Sequence, residues 1–316
     1  MPDSDAPRPP SVDYVVVAFR SERHLGPCLD AIEADRPPHS SVIVVDNASP
    51  DGSAELARGH PTRPRLLDSG RNLGFGGGCN LGARASSADL LFFVNPDARL
   101  RPGATTRLAA AIWGEAQVAV AGPRISDSGG TLRAASAGHE PTLRSILGHF
   151  VFFARIPGLG RFFPPLQLPN GAPAQSVDWV GGAALMVRND AFMSVDGFDE
   201  SIFLYMEDVD LCRRLRAAHW LVRYVPSASA DHDLGGSQGA EQADRWYLAF
   251  HAYLVRHHGA QYARLASAVS AIGLAMRAAL IIVSRPRHGR RLARAARTAL
   301  GLAVGTLSPD GASGGT

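Results

Sequence analysis

The sequence predicts an α/β fold with a mostly parallel central sheet flanked by helices. Strand-length apolar runs recur through the first half of the chain, and segments with helical spacing separate them. A helical, basic stretch closes the chain. Val12–Ala18 (VDYVVVA) is a continuous, β-branched run, the pattern of a strand buried on both faces. Glu22–Ala34 follows with helical spacing. Ser41–Asp46 (SVIVVD) is a second buried-type strand, and Ser53–Arg58 begins another helix. Asn72–Ser87 holds a glycine-rich turn and a small-residue helix. Leu90–Val94 is a third strand, Thr105–Trp113 a helix and Val118–Gly122 a fourth strand. A ligand of such a sheet is expected at the carboxyl ends of its strands.

The second half is less regular. Residues 124–176 place Phe150, Phe152, Phe153, Phe162 and Phe163 among glycines, prolines and arginines without a clean period. They read either as an irregular segment covering the core or as a loop meeting an acceptor or a membrane. Asp178–Arg188 reads as a strand passing close to ligand. Glu207–Ala218 has helical spacing, with Val209, Leu211, Cys212 and Leu215 on its buried side, and Leu221–Val225 is strand-like.

The chain has 316 residues, enough for one large domain or two smaller ones. Its basic residues are all arginine, which reads as codon bias and carries no chemistry. Cys28, Cys79 and Cys212 are far apart and form no CxxC pair. They exclude a disulfide framework or a zinc site and read as thiols in a reducing compartment. Residues 1–11 lack an apolar signal core and read as a disordered lead-in, and residues 310–316 as a disordered end.

Ten arginines and no acidic residue lie between Arg245 and Pro309, against a net charge of +3 for the chain. The rest is therefore mildly acidic, and residues 244–309 form a basic tail suited to an anionic surface. Leu265–Val283 is apolar apart from Arg277, two serines and small residues, which is borderline for a membrane span. A central arginine costs roughly 2.5–3.5 kcal/mol on insertion scales. An amphipathic helix or hairpin in the interface, over 262–303, is favoured over a span. The same apolar stretch argues against nucleic acid as a partner.

Five stretches carry candidate chemistry. Asp46 ends the second strand in VIVVDNASPDGS, where its carboxylate can meet a base or ribose, or can merely cap the next helix with Ser49 and Asp51. RNLGFGGGCNLG (71–82) lacks the final small residue of a dinucleotide fingerprint and follows the wrong unit. Its glycines let backbone approach a diphosphate or pack a helix tightly. LLFFVNPDARL runs a strand into Asn95-Pro96-Asp97, where Asp97 can bridge a hard cation to phosphate oxygens or form a plain turn. GFDESIFLYMEDVDLCRRL places Glu207, Asp208 and Asp210 at a helix start. The helix dipole accounts for Asp210, but not for an apolar run leading into two adjacent carboxylates. A carboxylate beside an apolar wall can have a raised pKa and act as a base. Finally, Asp231-His232 precedes Gly235, Gly236 and Ser237, a plausible metal or phosphate ligand set.

The order of these stretches resembles glycosyltransferase family 2 on the GT-A fold, and within it the bacterial rhamnosyltransferase-like members. The matching stretches run from VVVAFRSE to HDLGGS, over roughly residues 12–240. The resemblance implies a GT-A catalytic domain over 12–243, with a nucleotide-binding half (12–122) and an acceptor half (123–243). It places Ala18, Phe19, Ser21, Glu22, Asp46, Arg71, Asn72, Phe75, Asn95 and Asp97 around a nucleotide-sugar donor. It makes Asp97 and His232 ligands of Mg²⁺ or Mn²⁺, although Asn95 replaces the first acid of the family's Asp-X-Asp motif. Asp208 is implied as general base, with Glu207 orienting the acceptor and Trp179, Gly181 and Gly182 forming the acceptor floor. A single displacement would invert the anomeric carbon. The donor implied is dTDP-L-rhamnose, and the acceptor a glycan or polyprenyl-diphosphate-linked sugar in cell-wall or surface polysaccharide synthesis. The expected location is the inner face of the cell membrane. A different donor, such as UDP-galactofuranose, and an inactive nucleotide-sugar-binding protein are the alternatives. A nucleotidyltransferase is disfavoured because AFRSERHLG is a poor phosphate loop.

Overall fold

The computed structural model describes residues 8–127, 136–169, 171–232, 240–282 and 286–307. Most of the expected lead-in, the expected disordered end, and Gly235, Gly236 and Ser237 lie outside the described residues.

The first half follows the sequence pattern closely. β1 (Val12–Ala18), α1 (Glu22–Asp35), β2 (Ser41–Asp46) and α2 (Ser53–Gly59) come first. β3 (Arg65–Asp68), α3 (Gly74–Arg84), β4 (Leu90–Val94), β5 (Ala98–Leu100), α4 (Ala104–Trp113) and β6 (Val118–Ser126) follow. The central sheet has nine strands, in the order β3-β2-β1-β4-β10-β6-β11-β5, with β8 added beside β11. Here β8 is Gln175–Val177, β10 is Ala184–Arg188 and β11 is Leu221–His232. β3, β2, β1 and β4 are parallel. β10 then enters antiparallel between β4 and β6, so the second half of the sheet is mixed. A small second sheet pairs β7 (Ala137–Gly138) with β9 (Trp179–Val180).

Alternation along β1 explains the two cores. Tyr14, Val16 and Ala18 pack with Leu25, Cys28, Leu29 and Ile32 of α1 on one face. Val15 and Val17 face α3 and the second cluster. The glycines of α3 serve this packing. A Cβ on Gly78 would stand 2.6 Å from Val17 Cγ1, and one on Gly82 2.4 Å from Val15 Cγ1. Of the two readings left open for the glycine run, close helix packing is the one these contacts support. All three cysteines are buried and unpaired.

Residues 139–169 contain α5 (Leu143–Phe150), capped at Thr142 by reciprocal bonds with Ser145. Further on come α6 (Asn189–Ser194) and α7 (Glu207–Ala217), then three helices: α8 (Ala240–His258), α9 (Ala260–Ile281) and α10 (Pro286–Val304). These last helices share the main core, to which Phe250, Tyr253, Leu254, Ala263, Leu274 and Ala299 contribute. Gly273 lets α9 approach α5, since a Cβ there would meet Phe150 O at 2.3 Å. Arg277 donates to His149 O and lies 4.5 Å from the Phe152 ring centroid. The charge inside the apolar stretch is thus spent on the protein body. α9 is long and apolar enough to cross a membrane, yet one of its faces is packed and Leu265, Ile272, Met276 and Leu280 are exposed on it.

Candidate active site

Register brings the candidate residues to one edge of the sheet. Ala18 pairs with Asp46, and Asp46 with Asp68, so β1, β2 and β3 end together. β4 ends beside them and runs into Asn95. β10 starts at this same edge, where Asn95 N donates to Ala183 O at 3.0 Å. β11 ends there too, with His232 opposite Ala98.

A cavity of about 340 Å³ opens at this edge. It is lined by Phe75, Asn95, Trp179, Gly181, Gly182, Glu207, Asp208 and His232, all expected from sequence. Pro141, Leu166, Gln167, Leu204, Tyr205, Met206 and Trp246 also line it, and sequence reasoning missed them. Asp97 joins through His232, whose Nε2 is 3.0 Å from Asp97 Oδ1.

Asp208 and Glu207 begin α7. Gly182 N donates to Asp208 Oδ2 at 2.7 Å and Val209 N donates to Oδ1 at 2.8 Å. Glu207 is 6% exposed, and its Oε2 has no hydrogen-bond partner. Burial, reinforced by the adjacent Asp208 charge, pushes the Glu207 carboxyl up to about 8. Burial also raises Asp208, against the two amide donors that favour its charged form. The two amide donors favour charge on Asp208, while Glu207 Oε2 has no donor, so within the pair Glu207 is the better holder of a proton. The approach to α7 is strained: Tyr205 and Met206 hold φ of 67° and 70° without being glycine. Such residues cost on the order of 1–3 kcal/mol each and persist where the surroundings dictate them.

Gly74 is one such surrounding. At φ 74° it lets Phe75 N reach Phe203 O at 3.2 Å, and a Cβ there would stand 2.4 Å from that oxygen. The glycine motif thus buttresses the segment leading into the carboxylate pair and aims the Phe75 ring into the cavity.

Ala18, Phe19, Ser21, Glu22, Asp46, Arg71 and Asn72 do not line the cavity. Asp46 Oδ1 accepts from Ser49 N at 3.0 Å, a bond within the loop ahead of α2 and not a cap of that helix, whose first residue Ser53 donates its N–H to Asp51 Oδ1 at 3.2 Å. Ser21 N donates to Ser53 Oγ, and Glu22 N to Asp51 Oδ2, which ties the loop after β1 to the loop after β2. Asn72 Oδ1 accepts from Asn47 Nδ2 at 3.0 Å and from Gly74 N at 3.0 Å. Asn47, buried and overlooked in the sequence, also donates to Gly74 O and accepts from Leu73 N. Its place directly after Asp46 at a strand end was the available signal. Arg71 is exposed.

Among the described residues no group of three or more His, Cys, Asp or Glu forms a ready cation cage. Asp97 and His232 nonetheless fit two ligands of one hard cation. Adjacent ligands about 2.1 Å from an octahedral ion stand about 3 Å apart, close to the Oδ1–Nε2 separation of 3.0 Å. Asn95 Oδ1, buried without a partner, faces the same cavity.

The α/β sheet, with a cavity at its carboxyl edge and an adjacent carboxylate pair at a helix start, is a GT-A-type transferase fold, as its solved neighbours show. A mannosyltransferase of Pyrobaculum calidifontis, solved with GDP-Man and Mn²⁺, superposes with a TM-score of 0.61. The likeness covers 94% of this chain and 87% of that one, at 14% identity. The description "Glycosyl transferase family 2" matches residues 13–164. The N-acetylglucosaminyl-diphospho-decaprenol L-rhamnosyltransferase of Mycobacterium tuberculosis is 34% identical over 306 aligned residues, covering 88% of this chain and 94% of the relative. The rhamnosyltransferase WbbL of Escherichia coli is 40% identical over 74 residues, 23% of this chain and 28% of its own length. The chain belongs to glycosyltransferase family 2, as a rhamnosyltransferase-like member, and is a glycosyltransferase.

Proposed function

We propose that this enzyme transfers L-rhamnose from dTDP-L-rhamnose, with inversion, to a hydroxyl of a polyprenyl-diphosphate-linked sugar in cell-wall synthesis. The observation that carries the reading is the buried Glu207 beside a half-buried Asp208, both facing a cavity that Asp97 and His232 flank. The relative's acceptor and sugar support the identities. Asp208 takes the proton from the acceptor hydroxyl as that oxygen bonds to the anomeric carbon. The bond from that carbon to the diphosphate breaks, and its electron pair leaves with the nucleoside diphosphate. Glu207, held protonated, donates a hydrogen bond that orients the acceptor, while Trp179 and Gly181 supply the floor. Asp97 and His232 would hold Mg²⁺ or Mn²⁺, which when bound neutralises charge on the departing diphosphate. Purified protein mixed with dTDP-, UDP- and GDP-sugars plus Mn²⁺ is expected to release nucleoside diphosphate fastest from dTDP-L-rhamnose. Faster release from another donor would replace the sugar, and release from none would refute transfer.

A lipid-linked acceptor would bring the enzyme to the inner face of the membrane, on the surface rather than across it. The exposed face of α9 would enter the interface, since its other face and Arg277 are held by the body. Arg290, Arg291 and Arg297 of α10 would meet anionic headgroups, at about 1 kcal/mol each, while Arg294 is paired with Asp244. Ile272→Asp with Leu280→Asp is expected to abolish flotation with anionic vesicles while leaving donor binding intact. Undiminished flotation would remove that face from the role.

A further inference from the structure

We propose that Glu140 is a positioning residue that holds the acceptor side of the cavity in register with the base; the proposal rests on the transfer reading above. Glu140 lies between β7 and α5 and does not line the cavity. Its carboxylate is 14% exposed and receives three donors from two helices. Arg213 and the Tyr253 hydroxyl, the latter at 2.6 Å, donate to Oε1, and Arg216 donates to Oε2.

Each arm of this node leads to a cavity wall. Glu140 N donates to Asp178 Oδ2 at 2.8 Å, and Asp178 Oδ1 accepts from Arg216 at 2.9 Å. Asp178 precedes Trp179, whose Nε1 donates to His139 O at 2.9 Å. Pro141, the next residue, lines the cavity. Arg213 and Arg216 ride on α7, which begins with Glu207 and Asp208. Tyr253 rides on α8, two turns beyond the cavity residue Trp246. Four walls from four segments (Pro141, Trp179, Asp208 and Trp246) are thus referenced to one carboxylate.

Distance separates this role from chemistry. At about 1.5 Å per residue, Arg216 lies about 12 Å along α7 from Asp208. The node therefore acts through orientation. Neutralising Glu140 removes the charge that ties Arg213 of α7 to the 138–141 segment and leaves that part-buried guanidinium without a carboxylate partner, while Arg216 keeps Asp178. Losing that tie would loosen α7 from the 138–141 segment, and so the base from the acceptor floor.

Glu140→Gln is expected to lower kcat/KM for the acceptor by about 10–100-fold, the scale of an ångström-sized misplacement. Both kcat and acceptor KM should change, with donor affinity measured by calorimetry unchanged. Glu140→Asp should restore part of the loss. Tyr253→Phe, which alters no charge, should shift the same constants in the same direction by less, and keeps the test available if Glu140→Gln fails to fold. Acceptor constants at the wild-type value in folded Tyr253→Phe and Glu140→Gln, with only thermal stability reduced, would overturn the proposal. A donor affinity that falls in parallel would overturn it too. If the wild type transfers no sugar, the transfer reading fails, and the node is judged by amide exchange. Faster exchange confined to 138–141, 179–182 and the start of α7 in Tyr253→Phe supports it, and exchange at the wild-type rate there overturns it.

Discussion

Asp208→Asn is expected to lower turnover by about 10²–10⁴-fold, the usual contribution of a positioned base. Donor binding should persist, because Asp208 meets the acceptor side of the cavity through Gly182 and not the loops after β1 and β2. The substitution keeps the side chain's volume but turns one of the two accepting oxygens into a donor facing Gly182 N or Val209 N, so the loss reports chemistry where thermal stability and donor affinity stay at the wild-type value. It also removes a titration. Burial raises the Asp208 carboxyl, so wild-type activity should fall on acidification at a pH above the ordinary carboxylate range. The sign is fixed by the mechanism: the ionised form is the active one, and activity rises with pH through the raised pKa. The residual rate of Asp208→Asn should lack that acid limb. A pH–rate profile of both proteins checks it, and near wild-type turnover in the variant would take the base role from Asp208.

The second large effect is expected at Asp97. On the proposed metal reading, Asp97→Ala should weaken donor binding in the presence of Mn²⁺ by about 10–100-fold, since it removes one of the two side chains proposed to hold the cation. Without the metal, variant and wild type should bind the donor alike, because what is lost is the bridge to the diphosphate. Calorimetric titration with and without Mn²⁺ reads this directly. A wild-type titration in the variant would place the cation elsewhere, and leave the 3.0 Å Asp97–His232 contact as an ordinary ion pair.

The fold was legible where one segment carries its own burial. β1, β2 and β4 are apolar runs that bury both faces, and their bounds match the sequence pattern. β3 was not legible, because its RLLD offers two apolar residues after a proline. Nor was α5, although Leu143, Ile146, Leu147 and Phe150 have helical spacing. Gly148, there because Phe163 O comes within 2.3 Å of where a Cβ would stand, and the surrounding prolines mask the period. The antiparallel entry of β10 depends on how residues 123–183 return to the sheet, which no local pattern encodes.

The site divides in the same way. Glu207, Asp208, Asp97 and His232 could be read because each carries chemistry in a recognisable local string. Asn47 and Glu140 could not, since their meaning lies in partners 25 to 113 residues away. The loops around Ser21, Asp46 and Asn72, expected from sequence to meet the donor, are tied down by their own hydrogen bonds and stand outside the cavity.

Trp246 gives the C-terminal helices a second meaning. It stands on α8 and closes one side of the chamber that Asp208 faces. Trimming the chain ahead of α8 to obtain a more tractable reagent would breach that side and admit bulk solvent beside the activated sugar. The stretch proposed to anchor the enzyme is thus also the one that closes the chamber, and a preparation lacking it is expected to lose sugar to water instead of to an acceptor.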